Sequence, residues 1–138
     1  MVIVREVSFH IDASPIGKGR PRFGGGRTYT PEKTRNAETE IHLYALSAMR
    51  GQALMEGPVR LHIVGLVEMP ASWSKKKRAE KNGRPHTQKP DASNVAKLVE
   101  DALNGAVYRD DAQVYDLRCL LYWGKRGRIG ITVTEIET

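Results

Sequence analysis

KPDASNVAKLVEDALNGAVYRDDAQ, residues Lys89 to Gln113, is the stretch on which the reading of this chain turns. Val95, Leu98, Val99, Ala102 and Leu103 recur at i, i+3, i+4, i+7 and i+8, the spacing of one buried helix face. Asn94, Lys97 and Asp101 fall on a different face of the same helix. Asp91, directly after Pro90, stands where an N-cap stands. Asn104-Gly105 ends the helix, glycine taking the left-handed conformation past the last turn. A short apolar link then leads to the acidic pair Asp110-Asp111, immediately before a strand-like run. If the chain folds back so that this pair meets the helix start, several oxygen ligands and a lysine gather at one point. Magnesium takes few carboxylates and fills the rest of its octahedron with water and phosphate. The stretch therefore reads as a metal site open to a phosphate.

The totals set the frame for that site. At 138 residues and 40% hydrophobic, the chain is expected to form a single domain, 1–138. Its core is small enough that burying further surface in a dimer would help. Lys and Arg number 22 against 16 Asp and Glu, a net charge of +6. With a pI near 9.6 this points to a polyanionic partner, nucleic acid being the commonest, although the same charge also keeps a small domain soluble. The single Cys119 excludes an internal disulfide and, lying in an apolar strand, reads as a buried inert thiol. The N-terminus, MVIVREVSFHI, carries charge where a signal peptide needs an apolar run, and nothing approaches a membrane span. A soluble cytoplasmic protein with no membrane partner is expected.

Working outward, Val2 to Ile11 alternates as an opening strand whose Ile3, Val7, Phe9 and Ile11 face is apolar apart from Arg5. Ser14 to Arg27 is rich in proline and glycine and reads as a loop carrying Lys18, Arg20, Arg22 and Arg27. It lacks the order of a phosphate-cradling P-loop, and a basic arm tracking a sugar-phosphate backbone fits better. Phe23 and Tyr29 stand near enough to stack on a base. Thr30-Pro31 starts a helix with Ala37, Ile41, Tyr44, Ala45, Ala48 and Met49 on one face, ending near Arg50-Gly51. Val59 to Met69 is a second strand. His42 and His62 have no partners at metal-ligand spacing and read as structural or solvent-facing, without a role in chemistry.

The segment before the central stretch is basic again. Lys75, Lys76, Lys77 and Arg78 lie on a short helix started by Ser72 or Ser74 and stopped by Asn82-Gly83. With Lys89 they make a second set of candidate DNA-phosphate contacts, adding salt-sensitive affinity and no sequence preference. After the central stretch, Val114 to Trp123 reads as a half-buried strand with Tyr115, Leu117, Cys119, Leu121 and Trp123 inward. Gly124-Lys125-Arg126-Gly127 reads as a hairpin turn, and Arg128 to Glu135 as the last strand, fraying or bulging at Ile136. Strands and helices in this order give an α+β (mixed α/β) domain, a small mixed sheet with helices.

Lys89-Pro90-Asp91-x-x-Asn94-x-x-Lys97, Asp101-Ala102-Leu103-Asn104-Gly105 and Asp110-Asp111-x-Gln113-Val114 together resemble the signature of the RusA family of Holliday-junction resolvases. Lys18-x-Arg20-Pro21-Arg22 followed by Tyr29-Thr30-Pro31, and Ser74-Lys75-Lys76-Lys77, are similar to that family in the same order along nearly the whole chain. The resemblance implies a Mg2+-dependent endodeoxyribonuclease, with Mn2+ as an alternative metal. It implies a homodimer that binds four-way junction DNA and nicks two strands symmetrically in recombination and repair. It also implies a bacterial, phage or prophage origin. Carried over by position, Asp91 and Asp111 (with Asp110 beside it) match the metal aspartates and Lys97 the assisting lysine.

The family's second aspartate is absent, and Ser93 stands in its place. A hydroxyl is neutral and binds a divalent ion more weakly than a carboxylate. Ser93 could hold a metal-bound water, Asp110 or Asp101 could restore the charge, or the protein could bind junctions and cut poorly. In the expected site Asp91, Asp111 and Lys97 are catalytic, and Asp110 and Ser93 support the metal. Asn94 orients a carboxylate from the second shell, and Asp101 forms a surface salt bridge to Lys97. A junction- or RNA-binding module without cleavage is the main alternative. A structural partner in a ribonucleoprotein fits less well, because crowded carboxylates beside phosphate are costly without a cation.

Overall fold

The protein is described here by a computed structural model covering residues 1–19, 22–25, 27–29 and 32–138. Its elements are β1 (Ile3–Ile11), β2 (Arg22–Gly24), β3 (Arg27–Tyr29), α1 (Glu32–Met49), β4 (Val59–Glu68), α2 (Lys75–Lys81), α3 (Ala92–Leu103), a 3-10 turn (Asp111–Gln113), β5 (Val114–Gly124) and β6 (Arg128–Ile136). Four strands form one mixed sheet in the order β1-β6-β4-β5, so the fold is α+β as the sequence predicts. The basic segment read as a loop contains the short antiparallel pair β2–β3. Arg20 and the Thr30-Pro31 helix start lie outside the described residues, as do the side chains of Arg22, Phe23, Arg27 and Tyr29.

β4 and β5 run parallel, and a parallel pair needs a long crossover. α2 and α3 supply it. The apolar stripe of α3 is buried throughout, from Val95 at 1% exposure to Leu103 at 0%, and it packs against α1 and β5. Val59, Leu61 and Ile63 of β4 and Ile131 and Val133 of β6 complete the same core. Burying each such side chain contributes roughly 1.5–3 kcal/mol.

Two local expectations change. Lys125 to Gly127 is no hairpin turn, because β5 and β6 both pair with β4 and not with each other. A Gly-flanked basic turn signals reversal of the chain, and reversal is satisfied equally when the link passes over the end of an intervening strand. The start of β5 is also less buried than its alternation implies: Tyr115 is 48% and Leu117 46% exposed, because β5 is an edge strand. Ile136 remains in β6 and is buried, the irregularity falling opposite it, between Ile3 and Arg5 of β1. His42 Nδ1 donates to Ala102 O, 2.8 Å away, tying α1 to α3 as a structural residue. Burial pushes the half-buried Cys119 thiol up to about 11, which leaves it un-ionised at neutral pH.

Candidate active site

α3 begins with its own cap. Asp91 Oδ1 accepts the Asn94 backbone N–H at 2.8 Å and the Ser93 hydroxyl at 3.2 Å, while Asn94 Nδ2 lies 3.4 Å from Oδ2. Removing such a cap costs about 1 kcal/mol, so Asp91 has a structural task whatever else it does. All three side chains are exposed to solvent.

The second acidic point is on the other half of α3. Gln113 sets the turn that brings it there. Its Oε1 accepts the N–H groups of Arg109 at 2.9 Å and Asp110 at 3.0 Å, and its Nε2 donates to the carbonyls of Met55 and Gly57, each at 2.9 Å. Asp111 thereby faces Lys97 and Asp101. Lys97 Nζ stands 3.5 Å from Asp101 Oδ1 and 4.0 Å from Asp111 Oδ2. The Asp101 and Asp111 carboxyls thus share the Lys97 ammonium and influence each other's ionisation. Lys18 closes the network, its Nζ 2.7 Å from Asp101 Oδ2 and 2.5 Å from Glu38 Oε1. Its backbone N–H donates to Asn94 O at 3.1 Å, so the base of the N-terminal arm is fastened along α3.

Like charges this close cannot both ionise cheaply. Burial opposes ionisation of Asp101, but the hydrogen bond and charge of Lys18, then Lys97, outweigh it and hold the carboxyl below its usual range. Asp111 moves the other way, raised by burial and by its contact with Asp101 against the pull of Lys97. Burial lowers the affinity of Lys18 for its proton, yet Asp101 and Glu38 more than reverse this. Glu100 is raised by burial and then by Asp111. The buried Tyr108, which donates its hydroxyl hydrogen to Glu100 O at 2.8 Å, is raised by burial and then by the same carboxylates. Negative charge is concentrated at this end of α3.

The expected residues thus fall into two groups. Asp91, Ser93 and Asn94 stay together at the helix start, and Lys97, Asp101, Asp110 and Asp111 gather at its second half. Asp91 precedes Asp101 by ten residues, about 15 Å along a helix axis. Among the described residues no three of His, Cys, Asp or Glu converge as a ready metal cage. The donor chemistry nevertheless fits a hard divalent ion, since carboxylate oxygens are the ligands it takes and the crowding that raises the Asp111 pKa is a repulsion that a cation would relieve. Lys75, Lys76, Lys77 and Lys89 are exposed, and Arg78 partly so. Lys18 is engaged by two carboxylates and is only 25% exposed, unlike a free phosphate contact. Asp101 has more partners than an i, i+4 surface pair, and the anchoring by Gln113 had no sequence signal except its place in the quoted pattern.

A family model described as Endodeoxyribonuclease RusA matches residues 12–134. The chain is also 33% identical to the uncharacterized protein YqaN of Bacillus subtilis (strain 168), over 95% of this chain and 97% of that one. The family match begins just after β1 and spans α3, the Asp110-Asp111 turn, β4, β5 and most of β6.

Proposed function

The chain belongs to the RusA endodeoxyribonuclease family, which acts on junction DNA and generally depends on a divalent metal, and on that premise we propose a Mg2+-dependent resolvase that nicks four-way junctions in symmetric pairs. The observation that carries this is the meeting of Asp111 with Asp101 and Lys97 on one face of α3. Asp111 and Asp91 are the metal aspartates carried over from the family pattern, and Asp101, too far along α3 to stand in for the carboxylate missing at Ser93, acts beside Asp111 and Lys97. Magnesium keeps several of its waters, so these carboxylates need not all touch the ion. When bound, the ion supplies an activated water and polarises the phosphate.

The other side chains have tasks of their own. Lys97 neutralises charge developing on the attacked phosphate. Asn94 orients Asp91, and Gln113 keeps Asp110 and Asp111 on their turn. Arg20, Arg22, Arg27, Lys75 to Arg78 and Lys89 grip the sugar-phosphate backbone. A two-fold junction is matched by a two-fold protein, so the working form is a homodimer, with exposed Tyr115 and Leu117 among the apolar groups available for burial. The site of action is the bacterial cytoplasm.

The Ser93 hydroxyl supports a second reading. It donates to Asp91 and brings no charge of its own, which fits a junction binder with weakened cleavage. Labelled four-way junction and linear duplex, each with Mg2+, Mn2+ or EDTA, separate the readings when wild type is run beside Ser93→Asp and Asp101→Asn. Paired metal-dependent nicks in the junction alone, abolished in Asp101→Asn, establish the resolvase with Asp101 in the site. Binding with no nicks until Ser93→Asp is introduced establishes the weakened form. Equal treatment of junction and duplex by every variant refutes both.

A further inference from the structure

Past the end of β5, the turn Lys125-Arg126-Gly127 borders an open groove of about 1040 Å3 lined by Lys125, Arg126 and Arg128, with Trp123 in its wall. A neighbouring hollow, lined by Lys75, Arg78 and Lys125, joins this turn to α2. Among the described residues, none of Lys125, Arg126 and Arg128 is paired with a carboxylate. The carboxylates at the groove are Asp12 and Glu68, and Asp12 already lies 4.0 Å from His10. The result is one basic surface shared by two elements distant in sequence.

This surface is mounted on a fixed frame. Gly83 N–H donates to Trp123 O and Trp123 N–H to Arg84 O, each at 2.9 Å, so the chain after α2 pairs with the end of β5. Trp73 rests on Trp123 with ring centroids 4.8 Å apart, and Lys77 Nζ lies 4.3 Å from the Trp73 ring centre. His86 packs edge-on to Trp123 at 4.5 Å, and burial lowers its pKa, disfavouring its charged form beneath the surface. Gly127 approaches Ala13 and Ser14 so closely that any side chain there would strike their backbone. A merely solvated face has no need of such bracing. Unpaired cations at fixed separations suit a rigid polyanion, whose bound counterions they release.

We propose that the Gly124–Arg128 turn and α2 form a second grip on the DNA backbone, holding a duplex arm of the junction away from the cut. The proposal rests on the endonuclease reading. β5 is 11 residues long and separates the turn from Asp111. At about 3.3 Å per residue that is roughly 36 Å, close to one turn of B-form DNA. An arm entering at the Asp111 end therefore presents its phosphates again at the turn, one helical repeat on. Lys and Arg used in this way fix the duplex and read no bases.

The test is the triple variant Lys125→Gln, Arg126→Gln, Arg128→Gln, compared with wild type on two four-way junctions. One junction has arms shorter than a helical turn and the other arms of two turns or more. Wild type should bind the long-armed junction more tightly in EDTA, and the variant should lose that preference. The slope of log K against log salt should fall by about 2–3, at about 0.9 for each phosphate that the variant no longer neutralises. Mg2+-dependent nicking of the short-armed junction should stay at the wild-type rate, which also shows that the variant folds. An unchanged slope and arm preference would overturn the proposal, as would an equally large fall in affinity for a single-stranded RNA of the same length. If wild type nicks no junction, the resolvase reading falls, and the slope measured on plain duplex still decides the second grip.

Discussion

Asp111, just before β5, and Arg126, just past its end, are charged side chains on short turns, but their surroundings differ. Asp111 has Asp101 and Lys97 within reach, and Lys18 and Glu38 extend the network behind them. Arg126 and its neighbours Lys125 and Arg128 border an open groove without a carboxylate partner among the described residues. Charges that answer one another fix geometry, and charges left unanswered on a braced surface are available to a partner. One end of the strand is built to place atoms and the other to hold a polyanion.

The strongest way to break this contrast is Asp111→Asn. It should lower single-turnover nicking by more than about a hundredfold, beyond what removing an outer-shell partner costs a metal site. Junction binding in EDTA should be kept or strengthened, since a negative charge is removed. Nicking that survives would take Asp111 out of the chemistry. Next in size, Asp101→Asn leaves Lys18 with Glu38 alone and should cost about 2 kcal/mol, the worth of a charge-assisted hydrogen bond. Urea unfolding measures it, and an unchanged midpoint would mean that the network merely decorates the surface.

Glu135, paired with Val59 at the same end of the sheet as Asp111, tests the frame behind that turn. Its carboxylate accepts the N–H groups of Glu56 and Gly57, each at 3.0 Å, and Arg5 Nε at 3.0 Å. Burial alone would raise its pKa, but these three donors outweigh it and hold the group low. A depressed carboxylate stabilises the fold above its ordinary range near 4.3 and loses that contribution as pH falls through the lower folded value. Glu135→Gln should therefore cost about 1–2 kcal/mol at neutral pH, with the gap to wild type narrowing on acidification. A gap independent of pH would mean that only packing is affected. The smallest effect is expected of Lys77→Ala, which removes a cation–π interaction with Trp73 worth about 0.5–1 kcal/mol. A larger fall in melting temperature would show that α2 depends on that one interaction for its seat.

Much of this was legible in the chain. The spacing of Val95, Leu98, Val99, Ala102 and Leu103 specified α3 and its buried face, because apolar periodicity is a local record of burial. Ser72 or Ser74 and Asn82-Gly83 bounded α2 in the sequence, and its capping hydrogen bonds are found at Ser74 and Asn82. Asp91 was marked both as a cap and as a candidate ligand, and its capping bonds are present. Where the reading failed, the cause was a partner remote in sequence. Lys18 read as one of the basic arm's cations, and its pairing with Glu38 and Asp101, 20 and 83 residues away, had no local signal. The Gly124–Gly127 turn read as a hairpin because nothing local reveals that β4 intervenes.

By itself the sequence determined the kinds of element, the buried stripe of α3, the basic and acidic segments and the order of residues that the family match covers. The tertiary structure decided which charges meet. Periodicity and capping act over a few residues and leave their mark in composition. Strand order is set by pairing across the sheet, and through it Asp111 is brought to Asp101 while Arg126 is kept from any carboxylate partner among the described residues.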